Sequence, residues 1–186
     1  DVRVQASHIL PGPSASQPID NKKQSLQNIK EALYASKIVS YTQGFMMMKS
    51  VSKGFNWNLD LGKIALMWRG GCIIRSKFLK NIKEAFEHNP DLSVLLFDDF
   101  FMQEISKCQD SWREIVSMSA KTGIPTPAFS SALAFYDGLR TEKLPANLLQ
   151  AQRDLFGAHQ YELLGKPGQY HHTNWTGTGG KVSSSS

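Results

Sequence analysis

Apolar residues recur every three or four positions along most of this chain, which is the spacing of one face of an α-helix. The longest such pattern begins after Asp20, a residue type that caps helix starts, and ends near Gly54. Its apolar positions are Leu26, Ile29, Leu33, Ile38, Tyr41, Phe45 and Met48. The pattern predicts a single helix of roughly 30 residues.

Small residues recur at every fourth position of the same segment, at Ala32, Ser36, Ser40 and Gly44. Because residues four apart share one face of a helix, these side chains form a narrow ridge that another helix can approach closely. We therefore expect this helix to be buried on more than one face.

Four further helical patterns follow, at about 61 to 87 with an interruption near two adjacent glycines, and at about 91 to 122, 127 to 139 and 145 to 157. Glycine and proline separate them, as at Gly123, since neither residue continues a helix well. Strand-like alternation of apolar and polar residues is nearly absent from the sequence. The sequence therefore predicts an all-α fold.

The two ends of the chain differ from this helical part, which we assign to residues 20–164. Residues 1–19 contain three prolines and predict an extended lead-in. Residues 165–186 are rich in glycine and end in four serines, but they also contain Tyr170 and Trp175. Flexible residues combined with aromatic rings that favour burial indicate an extended tail that docks on another surface.

Composition excludes several classes of protein. The chain has 186 residues, 41% of them hydrophobic, which suffices for a real core. It has no apolar run of the ~20 residues needed to span a bilayer and no signal-peptide pattern, so we expect a soluble protein without membrane contacts. The net charge of +5 is dispersed rather than gathered in a stripe, which favours an anionic small molecule over nucleic acid.

Cysteine and histidine provide no metal motif. Cys72 and Cys108 lie in apolar segments without CxxC spacing, so two buried thiols in a reducing compartment are favoured over a disulfide or a metal site. A cytosolic location follows as an expectation. The adjacent His171 and His172 point in different directions and have no further ligand nearby in sequence, which favours histidines at a pocket rim or surface.

A nucleotide-binding fingerprint is also missing. The segment GTGGK, residues 177–181, follows no strand, precedes no helix and lacks the third fingerprint glycine. The sequence thus predicts no dinucleotide site within this chain.

Arg75 is the first candidate binding residue. It ends the segment "GGCIIR" and follows apolar residues that belong to a core. An arginine rooted in a core either pairs with an acidic side chain or reaches a pocket that holds an anionic ligand. The spacing leaves both alternatives open.

Arg153 and His159, in "QRDLFGAH", form the second candidate. Six helical residues turn about 600°, so an unbroken helix would separate the two side chains widely, whereas a break at Gly157 would let His159 turn back towards Arg153. In the structural alternative, Arg153 pairs with Asp154 or a neighbouring helix, and His159 caps the helix C-terminus. Spacing alone favours the structural alternative.

Four motifs carry a resemblance to a known family: ALYASKIVSYTQGF, IALMWRGGCIIRS, LPANLLQAQRDLFGAHQYEL and HTNWTGTGGKVSSSS. In this order they resemble the C-terminal part of 6-phosphogluconate dehydrogenase, from about Lys23 to the last residue. The resemblance implies the second half of a large helical dimerisation domain, followed by a tail that threads into the partner subunit of a homodimer.

The resemblance also implies a function for the whole protein. The family is NADP-dependent and decarboxylating, and it converts 6-phosphogluconate to ribulose 5-phosphate in the pentose phosphate pathway and in gluconate utilisation. Arg75 matches the family arginine that binds the substrate 6-phosphate. Arg153 and His159 match residues that enter the substrate site from the neighbouring subunit, so all three would recognise substrate rather than transfer protons.

The catalytic machinery itself has no counterpart in this chain. In the family, the dinucleotide loop, the general-base lysine and the general-acid glutamate lie upstream of residue 1, so NADP would be bound mainly by an absent N-terminal domain and the isolated chain would be inactive. The alternative is a non-catalytic helical dimerisation or scaffold module that kept the same fold.

Overall fold

The computed structural model of the chain describes residues 1–13, 21–71, 73 and 76–177. The chain divides into two compact units, Asp1–Asp137 and Gly138–Ser186. The elements are α1 (Val2–Ile9), α2 (Lys22–Phe55), α3 (Leu61–Met67), α4 (Leu79–His88), a 3₁₀ turn (Leu95–Phe97), α5 (Asp99–Thr122), α6 (Pro127–Leu139), α7 (Asn147–Gly157), β1 (Tyr161–Glu162) and β2 (Tyr170–His171). Over the described residues, the predicted all-α fold is confirmed, with one short hairpin added.

The long helix α2 has the extent that its apolar pattern predicts. Its start is capped by Asn21, whose side chain accepts a hydrogen bond from the backbone N–H of Gln24 at 3.1 Å. The predicted cap, Asp20, lies outside the described residues. At the other end Asn56 adopts a left-handed conformation, φ 54°, which stops the helix.

The core of the first unit forms where α2 packs against α5. Helix α2 buries Ala35, Ile38 and Phe45, while α5 contributes Phe101 and Trp112, all at most 1% exposed. The indole N–H of Trp112 donates to the backbone carbonyl of Phe129 at 3.2 Å, so α6 is tied to α5. Two apolar helix faces thus form the centre of this unit.

Only part of α2 is covered within this chain. Ala32 and Ser36 of the small-residue ridge are buried, but Ser40 is exposed and nothing lies within 4 Å of a Cβ built on Gly44. Leu26, Ile29 and Leu33 are also exposed, at 58%, 42% and 50%. The described residues therefore cover one broad side of α2 and leave the side of Leu26, Ile29 and Leu33 exposed, because a periodic pattern identifies an apolar face without identifying what covers it.

The lead-in is not wholly extended, which corrects the prediction for residues 1–19. Residues Val2–Ile9 form helix α1, and the chain becomes extended at Leu10. Proline restricts itself and the residue before it, so the prolines that begin at Pro11 leave the earlier segment free to be helical. Residues 14–20 lie outside the described part.

Two predicted helix starts differ from the structure. Helix α5 begins at Asp99 rather than near 91, because the Asp98 carboxylate accepts from the N–H of Phe100 at 3.1 Å and caps the helix there. Of the apolar residues before it, Leu92, Val94, Leu95 and Leu96 are buried without forming an α-helix, whereas Phe97 is exposed. Helix α7 begins at Asn147, two residues after Pro145, and no side chain caps its start.

The thiol and membrane predictions can be compared with the described residues. Cys108 is a buried free thiol, as predicted, whereas Cys72 lies outside the described part. Burial raises the pKa of the Cys108 thiol, which makes the sulfur less reactive. None of the described helices has both the length and the apolar character required to cross a membrane.

Replacing Ile105 by Ala tests the packing of the first unit. Ile105 on α5 is 2% exposed, so Ile105→Ala should lower the free energy of unfolding by about 2–5 kcal/mol. Met102, on the same helix, is 52% exposed, and Met102→Ala should change the free energy of unfolding by no more than about 0.5 kcal/mol. Urea unfolding midpoints of the full-length protein measure both effects, and equal midpoints for the two variants would contradict this packing.

Candidate functional site

The end of α7 is a sharp break in the backbone. The helix stops at Gly157, and Ala158 adopts φ 47° while its N–H bonds to the carbonyl of Asp154 at 2.9 Å. Gln160 adopts φ 63°. Left-handed conformations are unfavourable for residues with a Cβ, so two of them flanking His159 need local contacts that hold them.

This break places the His159 ring over the last residue of α7. A Cβ built on Gly157 would lie 2.5 Å from Nε2 of His159 and 2.8 Å from its Cδ2. The ring therefore occupies the space that a side chain at position 157 would take. Position 157 is four residues after Arg153, and residues four apart share a helix face. Arg153 and His159 thus lie on the same side of α7, one turn apart.

Arg153 is available to a ligand. Its side chain is exposed, and its guanidinium donates to the side-chain oxygen of Gln150 at 3.2 Å. The structural alternative, pairing with Asp154, is not found, because the Asp154 carboxylate is buried and bonded to the segment that follows the helix. The sequence neighbours Arg153 and Asp154 thus differ completely in environment.

The buried carboxylate of Asp154 is the polar centre of the second unit. The residue is 0% exposed. Oδ1 accepts from the Gln160 N–H at 2.9 Å and lies 2.9 Å from Nδ1 of His172. Oδ2 accepts from the Thr173 N–H at 3.0 Å and the Trp175 indole N–H at 2.8 Å. One carboxylate therefore joins the helix end to the tail.

These contacts determine the protonation of the site. Burial raises the pKa of the Asp154 carboxyl, but the four hydrogen bonds outweigh it and hold the pKa well below its usual value. The group is therefore ionised at neutral pH. Because a carboxylate can only accept hydrogen bonds, Nδ1 of His172 carries the proton that lies between them.

A short hairpin keeps the tail against this centre. Tyr161 pairs with His171 in an antiparallel ladder, and the connection turns through Gly165 and Gly168 at φ 77° and 78°. Glycine adopts this conformation without steric cost, so these glycines shape a turn. The hydroxyls of Tyr161 and Thr173 lie 2.5 Å apart. The described part of the predicted tail is thus bound to its own chain.

The structure describes two of the three predicted substrate-binding residues. Arg153 and His159 lie on one side of α7, although the Arg153 guanidinium reaches towards Gln150 rather than towards the ring. Arg75 lies outside the described residues. The expectation that the apolar residues before it belong to a core is wrong for Ile73, which is 98% exposed. Sequence reasoning missed Asp154, which it treated only as a partner for Arg153. It placed His172 at a surface or rim, and the structure finds that side chain 35% exposed and bonded to Asp154. A charged residue between exposed neighbours provides no local signal that it is buried.

The described residues contain no dinucleotide-binding turn of the Rossmann type. Phosphate binding of that type requires a strand, a glycine-rich turn and a helix start in succession. The strands of the described part have two residues each, and neither precedes a helix. The described residues also include no group of three or more histidine, cysteine, aspartate or glutamate side chains that could hold a metal ion.

Comparison with known proteins places the chain in a family. The sequence model described as 6-phosphogluconate dehydrogenase, C-terminal domain, matches residues 1–175. The chain belongs to this family. The match includes the lead-in, which precedes the motifs that carried the resemblance. Helix α7 and the hairpin are therefore parts of a 6-phosphogluconate dehydrogenase C-terminal domain.

Relatives of this domain are longer proteins. The decarboxylating 6-phosphogluconate dehydrogenases of Drosophila melanogaster and Homo sapiens are 63% and 61% identical over 185 and 186 residues. Each match covers 100% of this chain and 38% of the relative. A solved Plasmodium falciparum 6-phosphogluconate dehydrogenase, studied in its apo form and with NADP+ or 6-phosphogluconate, is 41% identical with a TM-score of 0.83. That match covers 94% of this chain and 37% of the other.

Replacing Gly157 by Ala tests the position of the His159 ring. Alanine normally stabilises a helix relative to glycine, but here the added Cβ would lie 2.5 Å from the ring and displace it. We expect the Gly157→Ala protein to remain folded while the ¹H–¹³C ring signals of His159 shift.

The matched control is Gly138→Ala, because nothing lies within 4 Å of a Cβ built on Gly138. This variant should leave the His159 signals in place. Unchanged ring signals in Gly157→Ala would mean that the ring does not lie over the helix end.

Proposed function

We propose that the full-length protein containing this chain is a decarboxylating 6-phosphogluconate dehydrogenase, which converts 6-phosphogluconate to ribulose 5-phosphate and CO2 with reduction of NADP. This chain would supply substrate-phosphate binding and dimer contacts. The observation that carries the proposal is the placement of Arg153 and His159 on one exposed side of α7 in a chain of this family.

The chemistry of this pair suits a sugar phosphate. A guanidinium presents parallel N–H donors that match two phosphate oxygens, and its charge persists at every physiological pH. An imidazole can donate to a phosphate oxygen or to a sugar hydroxyl. Neither role moves a proton in the reaction, so Arg153 and His159 would bind and orient the substrate.

Arg75 would complete the phosphate site. Its role rests on the motif CIIRS and on the family match, which includes residue 75. Two arginines around one phosphate would neutralise both of its charges.

Dimer formation is supported by the apolar surface of α7. Leu148, Leu149 and Phe156 are 83%, 56% and 66% exposed, and they lie on the helix that carries Arg153. An exposed apolar face rimmed by polar residues is typical of a protein interface. We propose that this face meets a second subunit, that Arg153 and His159 serve that subunit's substrate site, and that the last tail residues exchange between subunits.

NADP would be bound mainly by an N-terminal domain that is not part of this chain. No step of the reaction through NADP is therefore assigned to these residues, and the isolated chain should not reduce NADP. A cytosolic location belongs to the same proposal.

Removing the Arg153 guanidinium should weaken substrate binding. Loss of charged hydrogen bonds worth about 1.5–3 kcal/mol should raise the KM for 6-phosphogluconate roughly 10- to 100-fold in Arg153→Ala, with little change in kcat. Steady-state kinetics of the full-length enzyme measure this.

The control is Gln150→Ala, which removes the side chain that accepts from Arg153 but keeps the cation, so its KM should change much less. A wild-type KM in Arg153→Ala would refute the proposed phosphate contact.

Mixed dimers test whether Arg75 and Arg153 serve one site from different subunits. In a dimer of Arg75→Ala with Arg153→Ala, one site would lose both arginines and the other would keep both. We therefore expect mixing to restore one site with wild-type KM. If both arginines came from one subunit, every site would lack one arginine and no wild-type component would appear in the kinetics.

A further inference from the structure

We propose that Asp154 is a positioning residue for the substrate site, because its buried carboxylate holds both the turn that presents His159 and the tail segment from His172 to Trp175. This inference rests on the proposed function of Arg153 and His159. Asp154 is 0% exposed, so it acts through other residues rather than by touching substrate.

The first step concerns the backbone on either side of His159. The main-chain carbonyl of Asp154 accepts from Ala158, and its side chain accepts from Gln160, both at 2.9 Å. Ala158 and Gln160 both have left-handed backbone conformations, which are unfavourable for residues with a side chain. One residue thus stabilises both strained positions, and the His159 ring between them is directed onto α7.

The second step concerns the tail. Thr173 and Trp175 donate to Oδ2 while His172 donates to Oδ1. The tail and the turn consequently share one acceptor group, and a change in that group affects both. Replacing the carboxylate of Asp154 by an amide is therefore informative. Asn has the same shape as Asp, but its NH2 group would face partners that can only donate hydrogen bonds.

The test is Asp154→Asn in the full-length enzyme. We expect the KM for 6-phosphogluconate to rise roughly 10- to 100-fold, by analogy with the loss of a residue that orients a metal-binding side chain. The kcat and the KM for NADP should change by less than about 3-fold, because the carboxylate orients only the substrate-binding groups.

The matched control is Asp137→Asn. Asp137 is also a carboxylate in a helix, and it accepts two hydrogen bonds from Arg113, at 2.9 and 2.6 Å, in the first unit. This variant should lower the melting temperature without raising the KM for 6-phosphogluconate. If Asp154→Asn behaves in the same way, Asp154 is only structural and the inference is overturned.

Trp175→Phe provides a milder variant that removes one donor and keeps the carboxylate. It should raise the substrate KM in the same direction by a smaller factor. In the double variant with Asp154→Asn, the substrate KM should rise by less than the product of the two single increases. The reason is that Phe has no N–H to face the new NH2 group. If Asp154→Asn does not fold, Trp175→Phe decides alone, and an unchanged KM would overturn the inference.

The variants also separate this inference from the proposed function. A wild-type KM for 6-phosphogluconate in Arg153→Ala would refute the proposed phosphate site itself. A raised KM in Arg153→Ala together with a wild-type KM in folded Asp154→Asn would leave the phosphate site intact and reject only the positioning role of Asp154.

Discussion

The second unit depends on the ionised carboxylate of Asp154, which is buried and surrounded by four donors. An ionised group without such donors would be too costly to bury, and the donors come from a turn and a tail that have little apolar core of their own. The charge and the segment around it therefore stabilise each other. This mutual requirement fixes the shape of the chain after α7.

The consequence for function lies on the exposed side of the same helix. Because the chain reverses at Ala158, the His159 ring returns to the space above Gly157, and it thereby joins Arg153 on one face. A cation and an imidazole thus share one exposed side of α7, and the proposed contact with the substrate phosphate uses this side.

The fold of the first unit follows largely from local rules. The extent of α2 reflects its apolar period and the caps at Asn21 and Asn56. The start of α5 could not be predicted, because several apolar residues before Asp98 have helix-like spacing but are buried in an irregular segment. Helix α1 precedes the first proline of the lead-in, and a proline affects only its own position and the residue before it. In both cases, composition predicted burial or a break correctly but placed the boundary wrongly.

The sequence by itself determined the helical class, the family motifs and the candidate residues Arg75, Arg153 and His159, because periodicity and rare motifs are local properties. It could not decide whether Arg153 pairs with Asp154, because the sequence does not reveal which of two adjacent helical residues faces the interior. Only the tertiary structure decided that Asp154 faces inward and Arg153 outward. The reason is that the donors of Asp154 come from residues up to 21 positions away, and only folding brings them together.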